Sequence, residues 1–246
     1  MKIASTSASF ARPIAAGELT EMEWLDLCAN ELEGDGVVFD AAEFPRFDAD
    51  YVAQLKKSAA DLGLTVTALA ADDAFAAQGE TWLDVAVSLG SPLLVARAPL
   101  YGEDMEAWGS FTESVKTRAG QAKRANVTLA IRNAPGTLCA SVSDVQRLLK
   151  DVDSAWLRCA LDPSALASSD LAEPLLGKAV IALQAIEDLE RFAAPDDPSA
   201  SALIERLERF RAFVVLERSD ERAPRDAFHA ALERFAALRC AALTRS

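Results

Sequence analysis

Short apolar runs alternate along the chain with longer stretches in which apolar residues recur every three or four positions. The short runs are Lys2–Thr6, Gly36–Asp40, Leu64–Ala70, Leu93–Arg97, Val127–Arg132, Leu157–Asp162, Val180–Gln184 and Phe213–Glu217. Their length and their content of Val, Ile, Leu and Phe are strand signals. Between them lie helical patterns. Asp48–Leu62 carries apolar residues at Tyr51, Val52, Leu55 and Ala59, and Gly63 is its stop signal. Met105, Trp108, Phe111, Val115 and Ala119 share one helix face. Ser143–Leu149 and Ala202–Phe210 repeat the logic. Eight strand-then-helix units in 246 residues predict an α/β fold, a (β/α)8 TIM barrel, as one domain over 1–246. A doubly wound open sheet is the alternative. It usually shows a glycine-rich phosphate loop after its first strand, and this sequence has none there.

Side chains alternate across a strand, so each run also predicts two faces. In the fifth, Val127, Leu129 and Ile131 oppose Thr128, Ala130 and Arg132. In the sixth, Leu157, Cys159 and Leu161 oppose Arg158, Ala160 and Asp162. In the seventh, Ile181 and Leu183 oppose Ala182 and Gln184. The bulky set is expected against the outer helices and the smaller set toward the barrel axis. The last inward residue of each strand then lies at the C-terminal mouth, where such barrels do chemistry. By this rule Arg97, Arg132, Asp162, Gln184 and Glu217 meet at one mouth. So many polar strand ends are hard to attribute to packing alone and point to a site or its remnant, with hydrogen bonding that plugs the barrel as the alternative.

Composition narrows the chemistry. The net charge of −13 argues against a nucleic-acid partner, which needs a clustered basic surface. No segment approaches the ~18 apolar residues of a membrane span, so no membrane partner is expected. The first ten residues are too short and polar for a signal peptide, which points to the cytoplasm. Cys28, Cys139, Cys159 and Cys240 are far apart with no CxxC pair, and three of them sit among apolar residues as small core groups. The sole histidine, His229, falls on a predicted surface helix, and a single histidine excludes histidine-rich metal chemistry. Trp24, Trp82, Trp108 and Trp156 fall on apolar faces and read as core.

The segment Val127-Thr-Leu-Ala-Ile-Arg132-Asn133-Ala134-Pro135-Gly136 resembles the fifth strand and following loop of the xylose isomerase-like sugar isomerases and epimerases. Phe47–Val66 is similar to that family's second helix and third strand, a weaker motif, and the likeness runs over nearly the whole chain. In the family the fifth strand typically ends in Glu-Asn-His-Pro, and strands five to eight supply Glu, Asp, His and Glu to a divalent metal. The resemblance aligns Arg132 with the first Glu and Ala134 with the following His. Asp162 matches the Asp, in Leu161-Asp162-Pro163-Ser164-Ala165, with Ala165 where the family often has a His. Gln184 stands for the strand-seven His, Ile186 for a nearby Lys, and Glu217 matches the last Glu.

Two of the four ligands therefore survive, and an arginine stands where the first should be. Divalent Mg or Mn wants oxygen donors and a net negative cage, and a guanidinium does not shed its proton. No metal and no other cofactor is expected. The resemblance also implies a pair of glutamates that moves a proton beside a carbonyl, of which only Glu217 remains.

The expected function is recognition of a sugar or small polar metabolite, anionic ones included, by a metal-free relative of these enzymes. Arg97, Arg132, Asn133 and Gln184 are the expected ligand-binding residues, with a salt bridge at the mouth as the alternative for Arg97. The alternative is a surviving isomerase or epimerase with Glu217 or Asp162 as base and Arg132 in place of the metal. A third class, an interaction protein using its outer surface, is favoured if side chains fill the mouth. An open pocket of a few hundred Å3 favours a ligand. Assembly into a homo-oligomer is left open. The loop Phe192–Ser199 after the seventh strand reads as a solvated turn, with a lid as the alternative.

Overall fold

The local signals do what their chemistry requires. Thr20 and Glu23 form a reciprocal capping box that starts α2 (Glu21–Asn30), and Ser141 and Asp144 do the same for α6 (Val142–Val152). Asp48 caps α3 (Ala49–Asp61) by accepting from the Tyr51 N–H. That helix stops at Gly63, whose φ of +74° suits a residue without Cβ. The computed structural model describes residues 2–32, 34–76, 79–102, 106–161, 178–185, 212–218 and 224–243. The remaining described α-helices are α1 (Ala11–Ala15), α4 (Thr81–Leu89), α5 (Ala107–Ala125) and α7 (Pro224–Leu243).

The strands are β1 (Lys2–Thr6), β2 (Gly36–Asp40), β3 (Thr65–Ala70), β4 (Leu93–Arg97), β5 (Thr128–Arg132), β6 (Leu157–Leu161), β7 (Ala179–Ala185) and β8 (Phe213–Glu217). They pair in chain order and β8 pairs back to β1, all parallel, so the sheet closes into a barrel. The fold is a (β/α)8 TIM barrel, as the alternation of elements predicts. No described helix is long and apolar enough to cross a membrane. The predicted helix Ala202–Phe210 and the loop Phe192–Ser199 lie outside the described residues.

Two cores result. The larger lies between strands and helices and holds Leu129, Ile131, Leu157, Cys159 and Leu161 together with Trp24, Leu55, Val115 and Val145. The smaller fills the barrel itself, with Ala4, Val38, Ala68, Val95, Ala130, Ala160, Ile181, Leu183 and Val215.

Strand seven is therefore turned over relative to the sequence reading. Ile181 and Leu183 point into the barrel, while Ala182 belongs to the outer core. The reason is volume. Alanines on β1, β3, β5 and β6 leave room inside that only a bulky strand can fill. Position 184 pairs with Leu216 of the outer core, so Gln184 sits at an outward register position, not the inward one expected of it. Its side chain lies outside the described residues.

Trp24 is fully buried, whereas Trp82, Trp108 and Trp156 are only half-buried. Trp108 keeps its polar edge wet and donates from Nε1 to Asp151 at 3.0 Å. Cys28, Cys139 and Cys159 are buried and Cys240 is exposed. His229 is exposed on α7.

Candidate functional site

Parallel closure brings every strand's last inward residue to one end of the barrel. There a cavity is lined by the polar side chains of Thr6, Asp40, Asp72, Arg97, Arg132 and Glu217. Its apolar floor comes from Val38, Ala70, Val95, Ile181 and Leu183. It encloses about 20 Å3, room for about one water molecule. Among the described residues the floor of the mouth is thus filled by side chains.

Arg132 and Glu217 account for much of that filling. Arg132 donates through Nη1 to Glu217 Oε1 at 2.9 Å and through Nη2 to Oε2 at 2.6 Å. The two side chains are only 20% and 18% exposed. This is the parallel two-bond geometry in which guanidinium and carboxylate interact most strongly.

Arg97 is the register partner of Arg132 on the neighbouring strand. Its setting is different. Its Nε lies 3.3 Å from Asp72 Oδ1, and the two side chains are 43% and 65% exposed. Asn133 is buried in the turn that follows β5 and is not among the cavity-lining side chains. Asp162 lies outside the described residues.

Asp40 and Asp72 were not among the expected site residues. Asp40 ends β2 two positions after the inward-facing Val38, so the strand-end rule applied to that run finds it. Asp72 continues the inward alternation of β3 past Ala70. The Asp40 Oδ1 accepts from the Ala42 N–H at 3.0 Å, and the Asp40 N–H donates to Ser7 Oγ at 2.7 Å. Burial holds its carboxyl above the usual Asp range. Asp72 and Glu217 push the same way, against the Ala42 hydrogen bond and Arg97. Burial likewise raises Glu43 next door, with Asp40 and Glu21 adding to the effect.

A family model described as xylose isomerase-like TIM barrel matches residues 28–239. The chain belongs to the xylose isomerase-like TIM barrel family.

Solved structures of that architecture superpose over nearly all of this family member. The 3-keto-D-glucoside 4-epimerase YcjR of E. coli has a TM-score of 0.77 at 15% identity, covering 96% of this chain and 99% of its own. The probable 3-DHS dehydratase AsbF of Bacillus anthracis has 0.76 at 14% identity, with 96% and 99% covered. The D-psicose 3-epimerase of Clostridium cellulolyticum H10 has 0.75 at 15% identity, with 97% and 99% covered. At such identities the likeness establishes the fold. No curated protein sequence matches the chain.

A divalent metal, which the family resemblance implies, does not fit the donors described here. Both Glu217 oxygens are engaged by Arg132, and a guanidinium repels a cation at that position. Among the described residues no group of three or more His, Cys, Asp or Glu side chains could hold a metal ion.

Proposed function

We propose that this xylose isomerase-like barrel is a metal-free relative of the sugar isomerases and epimerases that recognises a sugar or small polar metabolite at its C-terminal mouth. The observation that carries the reading is the Arg132–Glu217 pair. It sets a fixed cation where the family resemblance calls for a metal ligand. Proton transfer at Glu217 would first require that pair to open, which counts against the alternative of a surviving isomerase. With the floor filled, the ligand meets the rim, where Arg97 and Asp72 are accessible.

The test is a metabolite screen by thermal shift, with and without divalent ions, together with elemental analysis of the purified protein. The reading expects stabilisation by a polar metabolite that added Mn or Mg does not enhance. A stoichiometric divalent metal coordinated by Asp162 and Glu217 would overturn it.

Two observations favour a second reading, an interaction protein working through its surface: side chains fill the floor of the mouth, and an apolar pair is exposed on the outside. Leu100 and Tyr101 are 79% and 77% exposed. They stand on a ribbon fixed by an antiparallel bridge from Leu100 to Thr137 and by the Tyr101 N–H donating to the Gly136 carbonyl at 2.8 Å. That reading replaces the first if no metabolite in the screen raises the melting temperature.

A further inference from the structure

We infer that the anion-binding group of this mouth is Arg97 rather than Arg132, and that Arg97 takes the carboxylate of a small hydroxylated acid, such as a sugar acid, in exchange for Asp72. The inference rests on the reading of the mouth as a metabolite site and names the ligand class and the residue that grips it.

The two arginines are register partners at the ends of adjacent strands, and both line the same cavity. Their partners divide them. Arg132 is held by two bonds to a carboxylate that is itself only 18% exposed. Drawing Arg132 away would leave Glu217 largely buried and unpaired, which is costly. The Arg97–Asp72 pair is different in kind. Its shortest approach is 3.3 Å, and its two members are 43% and 65% exposed. An accessible ion pair of this sort contributes little net stability. The contact uses Nε, and Nη1 and Nη2 of Arg97 make no hydrogen bond among the described residues. A ligand carboxylate can use that open edge for the two parallel bonds that a guanidinium favours. Asp72, once released, remains in water.

Charge sets the class of acid. The described ionisable groups lining the cavity are two guanidiniums and three carboxylates. One accessible guanidinium matches one negative charge. A monocarboxylate adds one negative charge to this lining, whereas a phosphate dianion adds two beside Asp40 and Glu217. Asp40 and Asp72 also provide acceptors for hydroxyl groups, which favours a polyhydroxy acid over a simple one. Because the floor has room for only about one water, the body of the acid sits above it on the rim.

The experiment is calorimetric titration of the full chain with D-gluconate, D-glucose and D-glucose 6-phosphate, for the wild type and for Arg97→Gln. It is joined by side-chain Nε–H NMR of 15N-arginine-labelled wild type, which needs no variant to fold. The expected result is that gluconate binds best and that Arg97→Gln weakens it at least about tenfold, the loss of a charge-assisted contact. Gluconate should move the Arg97 Nε–H resonance and leave that of Arg132 in place. Gluconate and glucose binding alike, both unaffected by Arg97→Gln, would overturn the inference while leaving the metabolite reading intact. So would a ligand-induced shift confined to Arg132. No binding of any of the three probes, and no shift of either resonance, would overturn both.

Discussion

Removing the guanidinium of Arg132 tests the organisation of the mouth most directly. In Arg132→Ala the Glu217 carboxylate, 18% exposed in the wild type, loses both of its hydrogen bonds from Arg132 at once. Breaking a buried pair on one side costs about 3–5 kcal/mol, because the remaining charge is left unpaired. The remaining exposure argues for the lower end, about 3 kcal/mol. In a domain of this size each kcal/mol moves the melting temperature by roughly 2–4 °C, so a fall of about 6–12 °C is expected. Urea unfolding followed by circular dichroism should show the same loss as a lower midpoint at an unchanged slope. Replacing both partners by apolar residues, Arg132→Met with Glu217→Leu, should recover most of the loss, since no charge is then stranded. A double-mutant cycle should therefore show coupling above about 1 kcal/mol. Arg132→Glu should be worse than Arg132→Ala, because it adds a carboxylate beside Glu217 and Asp40. Millimolar Mn or Mg should partly rescue it, since Glu217 and the new carboxylate are then free of the Arg132 guanidinium and can offer oxygen donors. Arg132→Ala within about 0.5 kcal/mol of wild type would refute this reasoning.

Other groups make equally specific claims. Asp40 has its folded pKa raised by burial, so the folded state keeps a proton that the unfolded chain has already lost. Stability is then lost as pH rises from the ordinary Asp value of 3.8 through the folded value, and the penalty is complete above that. Asp40→Asn keeps an acceptor for the Ala42 N–H and should be more stable than wild type near pH 7, with the gain fading near pH 4; an equal difference at both pH values in urea unfolding would contradict this. Gly36→Ala should cost about 1–3 kcal/mol by overpacking. Its added Cβ would lie 2.7 Å from the Thr65 carbonyl oxygen and 2.8 Å from the Phe213 ring, and a variant as stable as wild type by thermal melting would show that the barrel floor can relax. Burial pushes the thiols of Cys28, Cys139 and Cys159 up to about 12, so in the native protein only Cys240 should react with Ellman's reagent at neutral pH. Fast reaction of a second thiol before unfolding would count against this packing.

The barrel was legible because its strands are short apolar runs punctuated by helix caps. The observed bounds of β1, β2, β4 and β8 coincide with those read from the apolar runs. The failure at β7 has a physical cause. A period of two says which residues share a face, but not which face is inside. Assigning bulky residues to the outside worked for Leu129, Ile131, Leu157, Cys159 and Leu161, which meet the helices. It failed for Ile181 and Leu183, because the space they fill is set by alanines on other strands, Ala68, Ala130 and Ala160 among them. No local pattern in β7 carries that information. Trp108 misleads for a related reason. It follows the apolar spacing of α5, yet it sits at the edge, stacked under the Arg147 guanidinium at 4.2 Å.

At the mouth, topology predicts which positions converge, and chemistry decides which of them pair. Arg97 and Arg132 end adjacent strands, so their proximity follows from the strand order alone. That Arg132 reaches across the barrel to Glu217 while Arg97 turns to Asp72 follows from depth and from the loops, which a strand pattern does not encode. Asp40 shows the opposite case, a residue the strand-end rule could reach once it is applied to every strand rather than to those with a family counterpart. The fold is also indifferent to what the mouth contains. Its packing lies in the two apolar cores, and the charged residues form a thin layer at the strand ends above them. A cation of some kind is needed in that layer, because Asp40 and Glu217 would otherwise face each other across a small cavity without compensation. A guanidinium carried by the chain supplies that positive charge permanently, whatever the metal supply. On the proposed reading the Arg132–Glu217 pair is structural, and holding a polar ligand falls to the accessible Arg97 beside it.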